Sequence, residues 1–117
     1  MKCPLRGVCV GAGYFSHFQY EAWSRIPEVR ITALANRNVD RAREAAARHG
    51  IPGVYGLDEF DAMLAQERPD FIDIITPPET HLDLVRRAAS SGIAIICQKP
   101  LAPTAEEAHA VVAAARA

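Results

Sequence analysis

The sequence LRGVCVGAGYFS, residues 5–16, joins an apolar run to a glycine turn. The apolar run predicts a short buried strand, and the spacing of Phe15, Phe18, Ala22 and Ile26 predicts that an amphipathic helix follows it. A Gly-x-Gly string between a strand and a helix is typical of turns that bind the pyrophosphate of a dinucleotide. This stretch therefore predicts the first strand, turn and helix of a nucleotide-binding fold, with a glycine turn of no function as the alternative.

Each position of the turn has an expected role. Gly11 permits the sharp turn out of the strand, and Gly13, which has no Cβ, lets a pyrophosphate approach the backbone. Ser16 takes the third position, where a small residue allows the helix to pack on the strand. Tyr14 and Phe15 lie at the helix N-terminus, where free N–H groups and the helix dipole favour phosphate. All five are predicted cofactor-binding residues.

Composition places the chain among ordinary globular domains. It has 117 residues, enough for one domain, and 50% of them are hydrophobic and 23% charged. The net charge of −1 offers no basic surface for nucleic acid or an anionic membrane, and no apolar run reaches membrane length. We therefore expect a cytoplasmic protein. The three cysteines lack C-x-x-C spacing, so neither a disulfide framework nor a metal site is predicted, and Cys9 and Cys97 are expected to be reduced, packed thiols.

Strand and helix patterns alternate along the whole chain. Strands are predicted at 5–10, 29–35, 53–55, 71–75 and 93–97, and helices at 14–25, 39–49, 57–68, 80–90 and from 104 onward. Short connections and apolar strands favour a parallel sheet with helices on both faces. The fold class predicted is α/β, a Rossmann-type doubly wound parallel sheet with strand order 3-2-1-4-5.

Ligands of such sheets bind beyond the carboxyl ends of the strands. At the end of the second strand, Asn36 stands where an acidic residue would bind the ribose hydroxyls of NAD. An amide does not repel a 2′-phosphate, and Arg37 can pair with one, so the sequence favours NADP over NAD. The alternative is that Asn36 only turns the chain while Arg37 is solvated.

Two further strand ends carry candidate residues. Thr76, Pro77 and Pro78 form a rigid loop before His81, in a helix for which Thr80 and Asp83 predict a capping box. Such a loop can form one side of the binding site for the pyrophosphate and nicotinamide ribose. The alternative is a turn that the prolines only make rigid.

Lys99 ends the fifth strand, beside Gln98, which we count with the cofactor-binding residues. There Lys99 can hydrogen-bond a substrate hydroxyl or share in its proton transfer; the alternative is an exposed lysine in a loop. The histidines outside the loop after the fourth strand lack the spacing of metal ligands, and surface positions are expected for them.

These motifs together resemble one known family. The strings GAGYF at 11–15, ANRN at 35–38, TPPETH at 76–81 and QKPLA at 98–102 resemble the glucose–fructose oxidoreductase/inositol 2-dehydrogenase (Gfo/Idh/MocA) family, in order and spacing. The resemblance implies a Rossmann domain that holds NAD or NADP for hydride transfer to or from a secondary alcohol of a sugar, inositol or related polyol. It also implies that Lys99 is the catalytic residue that contacts the reacting hydroxyl. Thr76, Pro77, Pro78 and His81 would line the nicotinamide side, and Gly11 and Gly13 would hold the pyrophosphate.

The chain departs from the family pattern at three points. Gln98 replaces the family's glutamate before the lysine, so an amide would orient Lys99 less well than a charge, and Asn36 replaces an acidic residue. The sixth strand and the family's second domain, which receives the substrate and forms the oligomer interface, are also absent. We therefore expect residues 1–117 to be a cofactor-binding domain that is inactive alone as a dehydrogenase. We also expect a homodimer, formed through the unpaired edge of the fifth strand or the last helix.

Two rival functions remain open at this point. Gln98 and the short chain favour a non-catalytic nucleotide-sensing or scaffold module, whereas Lys99 and the order of the loops favour an enzyme. A methyltransferase-like domain would need an acidic residue near position 36, where Asn36 stands.

Overall fold

The computed structural model describes residues 4–116 of the chain; residues 1–3 and 117 lie outside the described part. The strands are β1 (Leu5–Val10), β2 (Val29–Asn36), β3 (Gly53–Gly56), β4 (Phe71–Ile74) and β5 (Ala94–Cys97). The helices are α1 (Ser16–Ser24), α2 (Val39–His49), α3 (Phe60–Glu67), α4 (His81–Ala89) and α5 (Ala105–Arg116). All four strand pairs are parallel and the order is β3-β2-β1-β4-β5, which confirms the predicted Rossmann-type topology.

Helices pack on both faces of this sheet, and the side chains of β1, β2 and β3 alternate between the two cores. In β1, Val8 and Val10 face the core beneath α3, α4 and α5, while Cys9 faces the core beneath α1 and α2. The inner face of α3 consists of the buried residues Phe60, Met63 and Leu64. Burial on two sides explains why the carboxyl halves of β1 and β2 are apolar, whereas Ala94 and Ile96 of β5 are exposed.

The inner face predicted for α1 is wrong. Phe15, Phe18, Ala22 and Ile26 are exposed, and the side chains that face the sheet are Ser16, Tyr20 and Trp23. Tyr20 and Trp23 can be inside because each has a buried partner for its polar atom, as described below. The hydrophobic pattern identified the helix but assigned the wrong face of it to the core. The pattern did not count an aromatic residue with a polar end as a core residue.

The ends of two helices follow from local chemistry. Asn38 caps α2 by accepting a hydrogen bond from the Arg41 N–H at 3.2 Å, and Gly50 ends it with φ of 68°. The capping box predicted at Thr80 is wrong, because Thr80 belongs to a 3-10 turn over Pro78–Thr80. In that helical conformation its hydroxyl bonds the Pro77 carbonyl oxygen at 2.7 Å instead of capping α4.

The sheet places the predicted site segments together. The chain crosses from β3, on one side of β1, to β4, on its other side, so the carboxyl ends of β1 and β4 meet at the switch point of the strand order. In the described part of the chain, no helix has the length and apolar character needed to cross a membrane.

Candidate functional site

Gly11 makes the turn out of β1, and its backbone explains why a glycine is there. Its φ is +124°, and a Cβ at this position would lie 2.7 Å from the carbonyl oxygen of Ile75. Its N–H continues the ladder by donating to the Ala35 carbonyl oxygen at 2.8 Å. The first residue of the turn is therefore held tightly between β2 and the end of β4.

Gly13 has the opposite surroundings. It is exposed, and a Cβ built on it would meet no atom within 4 Å. Among residues 4–116, the N–H groups of Gly13, Tyr14 and Phe15 donate no hydrogen bond. An open approach to the backbone, together with free donors at a helix N-terminus, fits the pyrophosphate of a dinucleotide.

Two hydroxyl groups hold the glycine turn in place from below. The Ser16 hydroxyl donates to the Gly13 carbonyl oxygen at 2.5 Å, and Ser16 is buried, as a small residue at this position should be. The Tyr20 hydroxyl donates to the Gly11 carbonyl oxygen at 2.5 Å, and burial raises the pKa of this phenol. Sequence reasoning missed Tyr20, although the hydroxyl on an otherwise apolar ring signals a residue that can be buried only with a partner.

Asn36 joins the glycine turn to the turn after β2. Its Oδ1 accepts a hydrogen bond from the Ala12 N–H at 3.2 Å, and its Nδ2 donates to the Asn38 carbonyl oxygen at 3.0 Å. Arg37 next to it is exposed. A small cavity of about 170 Å³ brings the predicted residues Asn36, Arg37, Thr76 and Pro77 to one place.

A second cleft, of about 480 Å³, lies on the other side of the glycine turn. Gly13 and Tyr14 line it together with Arg41 and Arg48 of α2. Within the described part of the chain, neither Arg37 nor Arg41 makes an ion pair. Sequence reasoning missed Arg41. Its position in the first turn of α2, four residues after Arg37, was the available signal that it lies near the glycine turn.

Two histidines that were expected at independent surface positions form a pair beside this cleft. His17 Nδ1 and His49 Nε2 lie 2.9 Å apart, and the rings stack with centroids 5.2 Å apart. Burial is the largest cause that lowers the pKa of His49, and the charges of the neighbouring His17 and Arg48 lower it further. The pair connects α1 to the end of α2.

The loop after β4 is organised by a buried histidine. His81 is 1% exposed, and its ring nitrogens lie 2.8 Å from the Thr76 carbonyl oxygen and 2.9 Å from that of Leu101. The burial of His81 places it beneath the loop, not on the surface where a cofactor contact was expected. Its position shapes the loop of Thr76 and Pro77 and ties it to the segment after β5.

The end of β5 is anchored through Gln98. The Gln98 N–H donates to the Ile74 carbonyl oxygen at 3.1 Å, and Lys99, the next residue, is exposed. Cys97, the residue before Gln98, is half-buried. Burial is the main cause that raises the pKa of its thiol to about 11, and the charge of Asp73 adds to the increase. Burial likewise raises the pKa of Cys9, so both thiols stay protonated at neutral pH.

Asp73 is a buried residue near the site that sequence reasoning missed. It is 0% exposed on β4, and its Oδ2 accepts hydrogen bonds from Trp23 Nε1 at 2.8 Å and Gln19 Nε2 at 3.1 Å. Its Oδ1 accepts one from Gln98 Nε2 at 2.8 Å. A carboxylate inside an apolar strand was the signal, because a buried acid requires donors around it.

Residues 5–117 match the sequence model of a family described as an oxidoreductase family with an NAD-binding Rossmann fold, Gfo/Idh/MocA. The chain belongs to this family. This result confirms the resemblance stated from the motifs. The Gfo/Idh/MocA domain spans all four strand ends described above.

The curated relatives of the chain include two sugar dehydrogenases. A D-apiose dehydrogenase of Paraburkholderia graminis is 41% identical over 94% of this chain and 29% of its own length. A D-xylose 1-dehydrogenase (NADP(+)) of Haloferax volcanii is 39% identical over 72% of this chain and 25% of its own length. The chain therefore spans less than a third of the length of either relative.

A solved structure of the same fold matches closely. An oxidoreductase from Agrobacterium radiobacter, crystallised in complex with NAD+, L-tartaric acid and magnesium, superposes with a TM-score of 0.89 at 33% identity. The match covers 97% of this chain and 32% of that one. Both chains thus share the Gfo/Idh/MocA nucleotide-binding fold.

Proposed function

We propose that residues 1–117 form the nucleotide-binding domain of an oxidoreductase that transfers hydride to or from a secondary alcohol of a sugar, inositol or related polyol. The observation that carries the proposal is the turn at Gly11 and Gly13. Its open backbone and free N–H groups lie at the switch point of a parallel sheet, where a dinucleotide is expected to bind. The sugar dehydrogenases among the relatives support the substrate class.

Each strand end has a part in this proposal. The N–H groups of Gly13, Tyr14 and Phe15 bind the pyrophosphate, and Ser16 holds the turn that presents them. Thr76, Pro77 and Pro78 wall the nicotinamide side, with His81 fixing them from beneath. The cofactor, when bound, supplies the hydride acceptor or donor. Lys99 is the catalytic residue and hydrogen-bonds the reacting hydroxyl.

NADP is the preferred cofactor in this proposal. Asn36 carries no charge that would repel a 2′-phosphate, and Arg37 is exposed beside it, with Arg41 on the other side of the turn. In calorimetric titrations we expect tighter binding of NADPH than of NADH. Arg37→Ala should weaken NADPH binding about ten- to a hundredfold, because a charge-assisted hydrogen bond contributes roughly 1.5–3 kcal/mol, and should leave NADH binding unchanged.

Arg43→Ala is the matched control for this titration. Arg43 is an exposed arginine of α2 that pairs with Asp40 at 3.1 Å. Its loss should not change the preference for NADPH over NADH. Equal loss of NADPH affinity in both variants would contradict the role of Arg37. If a folded sample binds neither nucleotide, the scaffold alternative replaces the enzyme.

We also propose that the 117-residue chain is inactive alone as a dehydrogenase. Support comes from length, since the chain spans 29% of the D-apiose dehydrogenase and 32% of the solved oxidoreductase. Reduction of NADP by the purified chain in the presence of a polyol would refute this part of the proposal. A cytoplasmic location stays a prediction.

A homodimer is the expected assembly. In the described part, β5 pairs with β4 on one side only, and Ile96 of β5 is 39% exposed. An apolar groove between β5 and α5, lined by Ile95, Leu101 and Val112, lies beside this edge. Light scattering at high concentration should give twice the chain mass, and Ile95→Lys should lower it. A monomer mass at every concentration would contradict the dimer.

A further inference from the structure

The carboxylate of Asp73 has an environment that packing alone does not require. It is fully buried, and in the described part of the chain no lysine or arginine lies within ion-pair distance of it. The donors described for it, from Gln19, Trp23 and Gln98, are all uncharged. Burying a carboxylate without a cation is costly, so these three hydrogen bonds are what keep it inside the domain.

The three donors come from two different parts of the fold. Gln19 and Trp23 lie four residues apart on α1, the helix that begins at the glycine turn. Gln98 lies at the carboxyl end of β5 and directly precedes Lys99. Asp73 therefore connects α1 to the residue that leads into the lysine segment.

Gln98 is held at two points at once. Its backbone N–H donates to the Ile74 carbonyl oxygen at 3.1 Å, and its side-chain amide donates to Asp73 Oδ1 at 2.8 Å. Both partners are on β4, so the backbone of residue 98 can neither rotate nor lift away from the sheet without breaking one of these two hydrogen bonds. The next residue, Lys99, has an exposed side chain.

We propose that Asp73 and Gln98 form a positioning pair that holds Lys99 at the carboxyl end of the sheet. The proposal rests on the function proposed above for Lys99 and adds the residues that place it. The carboxylate of Asp73 fixes the amide of Gln98, and the fixed amide sets the course of the backbone into Lys99.

The pair also explains why residue 98 is an amide. A glutamate there would bring a second carboxylate oxygen to the position of Nε2, 2.8 Å from Asp73 Oδ1, and two carboxylates repel at this distance. The carboxylate next to residue 98 is supplied by the neighbouring strand β4, as Asp73. The expectation that an amide orients Lys99 poorly did not include this anchor.

The test compares two variants that each remove one hydrogen bond from the same carboxylate. Gln98→Leu removes the bond next to Lys99, whereas Trp23→Phe removes one from α1 and retains a ring against Phe71. In ¹⁵N relaxation of the 117-residue chain, we expect the order parameter of the Lys99 amide to fall from about 0.85 to below about 0.6 in Gln98→Leu and to stay high in Trp23→Phe. Gln98→Asn, whose shorter amide cannot reach Asp73, replaces the leucine variant if the latter does not fold.

Rescue by a reversed pair completes the test. In the double variant Asp73→Asn with Gln98→Glu, the amide and the carboxylate exchange places, and the order parameter of Lys99 should return to the value of the unaltered chain. A general loss of order in both single variants, or no change in Gln98→Leu, would overturn the proposal. NADPH titration of the unaltered chain tests the proposed function separately, because failure to bind there does not alter the relaxation result.

Discussion

Alanine in place of Gly11 is expected to lower the free energy of unfolding by about 2–4 kcal/mol. The backbone at residue 11 has a φ of +124°, a conformation that residues with a Cβ rarely adopt. The added Cβ would also lie 2.7 Å from the Ile75 carbonyl oxygen, which belongs to the backbone and cannot rotate away. Urea unfolding followed by circular dichroism measures the loss.

Gly13→Ala is the matched variant, with the opposite expected result. Gly13 has no positive φ, and its Cβ would enter open space, so the free energy of unfolding should change by less than about 0.5 kcal/mol. The methyl group would instead occupy the approach to the free N–H groups, and we expect a loss of NADPH affinity of more than about tenfold. Unchanged affinity in a folded Gly13→Ala chain would contradict pyrophosphate binding at this turn.

Leucine in place of His81 is expected to cost about 2–4 kcal/mol of stability and to weaken nucleotide binding. The change leaves the carbonyl oxygens of Thr76 and Leu101 without the ring nitrogens that now lie 2.8 and 2.9 Å from them. Both carbonyls belong to segments that surround the proposed nicotinamide side. Thermal unfolding and NADPH titration of the same variant measure the two effects.

His109→Leu is the control for this variant, because His109 is exposed on α5. Its stability should stay within about 0.5 kcal/mol of the unaltered chain. If His81→Leu is as stable as His109→Leu, the contacts of the buried ring with the two carbonyl oxygens contribute nothing to stability. If it unfolds more easily but binds NADPH as before, His81 stabilises the fold without shaping the site.

Much of the site was predictable because a parallel sheet brings distant segments to one edge. Gly11, Asn36, Thr76 and Gln98 each lie at the carboxyl end of an apolar strand, and the alternation of strands and helices is enough to place those four ends together. The assignment of Gly11 to the turn also needed nothing beyond the sequence, since glycine is the residue that such a backbone requires. The resemblance to the Gfo/Idh/MocA family rested on these same segments and is confirmed.

The orientation of α1 and the roles of Tyr20 and His81 were less predictable. A pattern of apolar residues records hydrophobicity, but it does not record whether a polar atom finds a partner in the folded chain. Tyr20 is buried because its hydroxyl reaches the Gly11 carbonyl oxygen, while Phe15 and Phe18 stay exposed. His81 lies beneath its loop because two backbone carbonyls, one of them twenty residues away in the chain, face its ring.

The sequence by itself determined the order of the strands, the glycine turn and the four segments that form the site, because these depend on local periodicity and on the geometry of parallel sheets. The tertiary structure alone decided which face of α1 is buried and how Asp73 is satisfied. Its hydrogen bonds join residues 50 apart, as with Trp23, or 25 apart, as with Gln98. Such bonds depend on the distance between side chains after folding, and local sequence patterns carry no record of that distance.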